Sequence, residues 1–385
     1  MAIASSRTVG WPWLSQWWMQ RCHLPRANTS FSASRTTTRT KVISMKAAVV
    51  HAPGQEHVVI TEVPDPTVGP GTVKVRMRAA ALNRADLNIK DGKFPEAPYP
   101  IVLGVEGAGE IVDIANDVTG FDKGDRVVIN PMVVCGDCEN CRAGADTECP
   151  SLRVVGEHFD GTYADYIVLP ARNLIKAPDH MSFTELAASV VPYLTAWHML
   201  ITRGGLSAGE TVLVVGAGSG VGSAAVQVAA SLGARVIATT STPEKEARVR
   251  ALGAAEVVNY RQFPDFDEAV KELTGGRGAD LVHETVGRAT VQKSIQSVRQ
   301  GGRVVGMGSH TGRFAEVDLW KLYRREATFI GCHLWNRKEI AEFLPLLSGG
   351  QITPLIDSVF ELDDIVSAHA RLIEDDRFGK VVVTI

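Results

Sequence analysis

Four of the six cysteines fall in one short stretch, Cys135-Gly-Asp-Cys138-Glu-Asn-Cys141-Arg-Ala-Gly-Ala-Asp-Thr-Glu-Cys149. Three thiolates at intervals of three, followed by one after eight, can converge on a tetrahedral ion about 2.3 Å from each sulfur. Gly136 and Asn140 in the gaps tolerate the tight turns of such a wrap. Four thiolates leave no position for water, so the spacing implies a closed structural zinc site rather than a catalytic one. Its binding energy would stabilise a loop too polar to pack a core of its own. Two disulfides are the alternative, and they suit a secreted protein. Of the other cysteines, Cys22 lies in the N-terminal segment and Cys332 in an apolar strand, where it reads as core.

The second chemical feature is a glycine turn, Val212-Leu-Val-Val-Gly216-Ala217-Gly218-Ser219-Gly220-Val221-Gly222. Glycines let the backbone approach a pyrophosphate, and the start of the following helix offers free N–H groups and a positive dipole end. A glycine pattern alone is weak evidence. Here it follows a buried strand and opens a helix inside a β-α-β alternation, which makes it specific. The sixth position of a G-x-G-x-x-G fingerprint is Val221, so the turn reads as one residue longer.

The end of the next strand bears on cofactor choice. An NAD site usually places Asp or Glu there for the ribose 2′-hydroxyl. This chain has Ala238-Thr-Thr-Ser241-Thr242-Pro243-Glu244-Lys245, with no acid at the strand end. Glu244 falls in the first helical turn, where it is a dipole partner. Ser241 and Lys245 suit a 2′-phosphate, so NADPH is expected over NADH.

The elements that must position these groups divide in two. Lys46–His51, Val58–Val63, Thr72–Ala80, Gly104–Ala115, Asp125–Asn130 and a pair within Val155–Leu169 are short Val-rich runs closed by Gly and Pro, an antiparallel β region. Ser182–Leu200 has apolar residues at helical spacing, with Ser182 as N-cap and Glu185 three residues on. From Thr211 strand and helix alternate, which marks a doubly wound sheet. Val212–Val215 is a continuous apolar run, as in a parallel strand buried on both faces. A further helix starts at Thr242-Pro243, and the chain ends on a β-like run, Gly379–Ile385.

Composition agrees. The 385 residues suit two domains, and 45% hydrophobic with 22% charged is ordinary for a globular protein. A net charge of -3 gives no reason to expect a nucleic-acid partner, and no uncharged apolar run is long enough for a membrane span. Residues 1–45 carry five Arg, one Lys, 13 Ser or Thr and no acid, the composition of an organelle transit peptide. Residues 1–44 are therefore expected to be a mitochondrial matrix presequence or a disordered extension. A start at Met45 would instead leave a cytoplasmic protein. Four of the seven Trp lie within the first 18 residues, which is unusual for a transit peptide.

Together these pieces resemble the medium-chain dehydrogenase/reductase superfamily over 46–385. The resemblance is carried by Gly104-Val-Glu106-Gly-Ala-Gly-Glu110, Gly124-Asp-Arg-Val127, the four-cysteine lobe, Gly161-Thr-Tyr-Ala-Asp-Tyr166 and the 216–222 turn. It implies an α/β protein. A GroES-like antiparallel β catalytic domain (46–190 with 336–385, zinc lobe 131–152) joins a doubly wound Rossmann domain (191–335), with the active cleft between them. It also implies dimers, or tetramers built from them, joined through the last Rossmann strand near Thr328–Leu334.

Departures from the family pattern narrow the chemistry. Zinc alcohol dehydrogenases of the family hold a catalytic zinc with Cys, His and a third Cys or Asp. Those positions appear here as Asn83, Val105 and a residue near Val191, leaving only Glu106. A catalytic zinc needs about three protein ligands, so that site is expected to be empty. Asn83, Asp86 and the longer glycine turn are similar to the quinone oxidoreductase and enoyl reductase branch, which uses NADPH and no catalytic metal. By the same resemblance Asn83 faces the nicotinamide ribose or the substrate oxygen, and Thr195 and Lys380 touch the nicotinamide side. Tyr260 flanks the 2′-phosphate, and the segment of His158 lines the substrate cleft.

Asn83, Asp86 and His158 are thus the catalytic candidates, with Asp160 placed to orient His158. Each has a plain structural alternative: a turn residue, a helix N-terminal acid and a satisfied core histidine. The function expected is hydride transfer from NADPH to a quinone or an α,β-unsaturated carbonyl compound. Two other readings remain: a zinc alcohol dehydrogenase that recruits its metal through Glu106, and a non-catalytic NADPH-binding scaffold.

Overall fold

The computed structural model describes residues 43–385. The presequence expectation falls on residues that, apart from the last two of 1–44, lie outside the described ones.

The β-rich region and the chain's end form one mixed sheet. Its order is Leu174–Lys176, Arg126–Ile129, Glu106–Ile114, Thr72–Ala81, Lys380–Thr384 and Ile356–Glu361, with Tyr166–Pro170 also pairing on Thr72–Ala81. Val382 lies opposite Ala81 and Thr384 opposite Ala79, so the C-terminal strand completes the N-terminal sheet. A three-stranded sheet, Val59–Pro64, Ser44–Val50 and Ile101–Val102, packs beside it.

The second region is an all-parallel sheet in the order Glu256–Asn259, Arg235–Thr240, Thr211–Val214, Ala279–Glu284, Val298–Gly306, Thr328–Gly331. Chain order reverses between Thr211–Val214 and Ala279–Glu284, which makes the crevice at their carboxyl ends the switch point where ligands bind. The apolar run there divides by its period of two. Val212 and Val214 enter the large core, while Leu213 and Val215 enter the cluster on the other face. Such a strand needs helices on both sides.

Two expectations required correction. Within Val155–Leu169 only Tyr166–Pro170 is a strand, with a two-residue strand Arg153–Val154 just before the segment. The intervening chain is a turn at left-handed Gly156, followed by backbone bonds from Gly161 to Val102 and from Tyr163 to Leu103. Ser182–Leu200 is not one helix but Phe183–Ala187, Val190–Trp197 and a π-helical segment His198–Arg203. The first helix has the capping box expected at Ser182 and Glu185. It ends because Ser189 Oγ donates to Leu186 O, and because the next N–H groups cannot extend it. Val191 N donates to Glu106 Oε2 at 2.9 Å, and Pro192 has no N–H.

Candidate active site

The four cysteine sulfurs all lie within 4.8 Å of one another. Cys135 Sγ is 3.9 Å from Cys141 Sγ and 3.6 Å from Cys149 Sγ. These distances are far too long for disulfides and bracket the sulfur–sulfur edge of about 3.8 Å that tetrahedral zinc requires. The residues present therefore fit a structural zinc ion. The lobe is tied to the body by Arg172, which donates to Cys135 O at 3.1 Å and Val134 O at 2.6 Å, and by the Arg337–Asp146 ion pair at 3.1 Å.

Gly216 has a left-handed φ of 75°. Ser219 caps the helix Gly220–Ser231, its Oγ accepting from Gly222 N at 3.0 Å. A Cβ on Gly222 would lie 2.3 Å from Gly216 O, so the turn folds back on the helix with no room for a side chain. Ala217 is sealed beneath it, bonded through its N–H to Thr239 O at 3.0 Å. Gly218 accepts from Gly379 N at 3.1 Å, which joins the turn to the C-terminal strand.

Cations gather around this turn. The Lys245 stem lies 3.4 Å from where a Gly218 Cβ would sit, while its Nζ donates to Asp375 O. Among the described residues Arg377 has no ion-pair partner. Burial, and then the charge of Arg84, lower its pKa to about 10. Arg84 and Arg377 were missed in the sequence because nothing local distinguishes them from surface arginines. Lys245 against the turn, Arg377 facing Lys245 in charge and Arg84 facing Arg377 make a positive neighbourhood that suits an anionic cofactor. Ser241 is buried at the strand end, and Tyr260, 42% exposed, hangs its backbone N–H on Thr240 O at 2.9 Å. Thr195 is 1% exposed, and its Oγ1 has no partner among the described residues. The glycine cradle, the cations and this orphaned hydroxyl fit a nicotinamide dinucleotide.

Asn83 and Asp86 meet Lys380 and Glu106 in a buried polar cluster. Asn83 Nδ2 donates to Glu106 Oε1 at 2.9 Å and to Ala81 O at 3.2 Å. Lys380 Nζ donates to Leu82 O and to Asn83 Oδ1, both at 2.7 Å, and closes an ion pair with Glu106 Oε1. The Lys380 ammonium thus lies against Asn83 and Glu106. Its stem still packs on the turn, since a Cβ on Gly220 would meet Lys380 Cδ at 2.7 Å. The donor set does not fit a catalytic zinc. Val105 and Val191 carry no ligand atoms, and the Glu106 carboxylate is held by Lys380, Asn83 and Val191 N.

Asp86 is fully buried in the first turn of Arg84–Lys90. Its Oδ2 accepts from Asn83 N at 2.7 Å and from Tyr163 OH at 2.8 Å, and Oδ1 has no partner among the described residues. Burial raises its pKa to about 6, with Glu106 adding to the shift and the two hydrogen bonds and Lys380 opposing it. The folded state thus holds a proton on Asp86 that the unfolded chain releases near pH 4. This group's contribution to stability is full below that pH and falls as pH rises toward 6. Asp86→Asn keeps both hydrogen bonds through its carbonyl oxygen and removes the titration. Chemical denaturation across pH 4–7 should show the variant losing on the order of 2–3 kcal/mol less than wild type over this window. Equal slopes would mean that Asp86 does not carry the proton.

His158 stands outside the cluster. Its Nδ1 accepts from Val154 N at 3.1 Å, which leaves the ring proton on Nε2, 3.6 Å from Glu96. Asp160 does not orient it: Asp160 Oδ1 accepts from Val102 N at 2.9 Å and fastens the strand behind.

Comparison with known proteins gives two family matches. Residues 220–349 match the zinc-binding dehydrogenase model, and residues 69–179 match the alcohol dehydrogenase GroES-like domain. The chain is 34% identical over 344 residues to the acryloyl-coenzyme A reductase of Metallosphaera sedula, covering 88% of this chain and all of that protein. A crystal structure described as an NAD-dependent alcohol dehydrogenase superposes with a TM-score of 0.84 at 39% identity, over 89% of this chain and all of that one. A crotonyl-CoA carboxylase/reductase superposes with a TM-score of 0.82 at 25% identity, over 89% of this chain and 88% of that one.

Proposed function

The chain belongs to the zinc-type alcohol dehydrogenase-like medium-chain dehydrogenase/reductase superfamily and is an NAD(P)H-dependent oxidoreductase; from that premise we propose that it reduces quinones or α,β-unsaturated carbonyl compounds with NADPH and without a catalytic metal. The observation that carries this reading is the Glu106 carboxylate, saturated by Lys380, Asn83 and Val191 N, beside ligand positions that hold no thiol or imidazole. Without a Lewis acid, the alkoxide of a plain alcohol lacks the direct stabilisation that a metal gives it. In conjugate reduction the charge spreads onto a conjugated oxygen and needs only hydrogen bonds or a weak acid. The 34% identical acryloyl-coenzyme A reductase is named for an unsaturated acyl substrate of this class.

A bound nicotinamide supplies the hydride. The residues of this chain do the rest. Arg84, Arg377 and the 216–222 turn bind the phosphates, and Thr195 Oγ1 offers a hydrogen bond to the nicotinamide end. Ser241 and Lys245 bind a 2′-phosphate beside Tyr260, at a strand end with no acid to repel it. His158 Nε2–H offers a hydrogen bond to the substrate oxygen. The zinc lobe is structural. The edge strand Thr328–Gly331, with exposed Phe329, Trp320 and Tyr323 nearby, is read as the face of a homodimer. Import into mitochondria rests on the composition of residues 1–44 alone.

Following cofactor absorbance against a benzoquinone, an enone, an aldehyde and, in reverse, a primary alcohol tests the reading. Turnover is expected with the quinone or enone, in protein holding one zinc per chain, with KM for NADPH at least about tenfold below that for NADH. Aldehyde and alcohol turnover in protein holding two zinc ions would overturn it. The second reading, NAD-linked alcohol oxidation, is favoured by the description of the 39% identical structure.

A further inference from the structure

We propose that the Lys380 ammonium is the resident cation of this active site, taking the position and the charge-compensating task of a catalytic metal and closing the site to metal ions. This rests on the metal-free reading above and names the group that makes it possible. The ammonium is surrounded by three oxygens of different kinds, two in hydrogen bonds and one in an ion pair. One is a carboxylate oxygen of Glu106, one the amide Oδ1 of Asn83 at 2.7 Å, and one the main-chain oxygen of Leu82 at 2.7 Å. The side chains of Lys380 and Glu106 are 6% and 0% exposed. Carboxylate, amide and peptide oxygens are also the set that a hard divalent cation prefers. The site is therefore a cation site whose occupant is covalently tethered to the C-terminal strand.

The neighbourhood requires that cation. Glu106 and Asp86 are both fully buried, and the charge of Glu106 disfavours charge on Asp86. A buried carboxylate with no counter-ion is among the costliest groups a fold can hold. Lys380 supplies the charge from 274 residues beyond Glu106 in sequence, and the Val382–Ala81 register sets its depth. It also holds the Asn83 amide, whose nitrogen is committed to Glu106 and Ala81. Because its stem packs on Gly220, a shift in the cofactor turn moves the cation that fixes Asn83. Lys380 is thus a positioning residue that links the cofactor turn to the substrate side.

The test uses the full chain with its structural zinc in place and compares wild type, Lys380→Met, Lys380→Arg and the double variant Lys380→Met/Glu106→Gln. Lys380→Met vacates an oxygen-lined site, so it should bind one Mn²⁺ per chain by electron paramagnetic resonance. Wild type and the double variant should bind none. Mn²⁺ should raise the denaturation midpoint of Lys380→Met only, and adding Glu106→Gln should recover most of the stability that Lys380→Met loses. Turnover should fall on the order of 100-fold in Lys380→Met, with NADPH affinity changed less than about threefold. Lys380→Arg should retain more than the Met variant. If Lys380→Met does not fold alone, recovery of folded protein in the double variant reports the same coupling. Additive stability effects together with no Mn²⁺ site in Lys380→Met would make Lys380 a packing residue and overturn the proposal. If wild type carries one zinc and reduces enones while Lys380→Met behaves like it, this inference fails and the metal-free reading stands. If wild type carries a second zinc, both fail.

Discussion

Gly222→Val is expected to weaken NADPH binding by at least about 100-fold while the protein remains folded. The Cβ it adds would sit 2.3 Å from Gly216 O and 2.9 Å from Ala217 Cα. Both are main-chain atoms of the turn, so no side-chain rotation relieves the contact. The helix start must move away from the strand end, and its first N–H groups move with it. Ser219 Oγ, which accepts from Gly222 N at 3.0 Å, is displaced as well. Hydrogen bonds to a charged phosphate contribute roughly 1.5–3 kcal/mol each, so misplacing two of them gives about the stated loss. The remaining contacts of the helix Gly220–Ser231 lie in the large core, where Ala224, Ala225, Val226 and Val228 hold it. Titration of cofactor fluorescence measures the effect, and thermal unfolding checks that the fold survives. An affinity within threefold of wild type would show that this turn does not bind the phosphates.

Cys141→Ser is expected to take the bound zinc from one per chain to below about 0.2 and to lower Tm by about 10 °C. Cys141 is buried, its sulfur 3.9 Å from Cys135 Sγ, and its N–H points at Cys138 Sγ at 3.4 Å. Structural zinc sites of this kind contribute about 10–16 kcal/mol in peptides, and loss of one thiolate of four forfeits a large part of that. A hydroxyl in its place neither deprotonates nor matches the longer metal–sulfur bond. The lobe communicates with the body by a short polar chain. Thr147 N donates to Asn336 Oδ1 at 3.2 Å, and Asn336 Nδ2 donates to Glu339 Oε1 at 3.0 Å. Glu339 Oε1 in turn lies 2.8 Å from His198 Nδ1 in the π-helical segment. Melting of the lobe should therefore reach the helix that follows the catalytic domain, and the transition should stay cooperative. Zinc analysis and calorimetry decide the matter. Unchanged Tm in zinc-free protein would show that the four sulfurs do not carry the lobe's stability.

Much of the scaffold could be read from residues near one another in the chain. The spacing from Cys135 to Cys149 places the sulfurs together because each loop between them is too short to do otherwise. The turn at 216–222 declares itself because a buried strand, glycines and a helix follow in sequence. The cap and first helical residue at Thr242-Pro243 behave as their types require. Segments whose partners lie elsewhere were harder. The break at Ser189 depends on Glu106 accepting the N–H of Val191, and Glu106 is 85 residues away. The chain between Val155 and Tyr166 has strand-like residues but is spent on loop contacts to Val102 and Leu103.

The sequence by itself determined the two-part α/β architecture, the convergence of the four cysteines and the glycine turn between strand and helix, because local spacing and short-range sterics encode all three. It also showed which metal ligands are missing, since side-chain type alone decides that. What stands in their place was decided only by the tertiary structure. Lys380, Asn83 and Glu106 come from three strands or strand ends, and only the register of the mixed sheet carries the ammonium to the carboxylate. A buried charge is stable only with its partner in hand, and no local pattern records where in the chain that partner will be found.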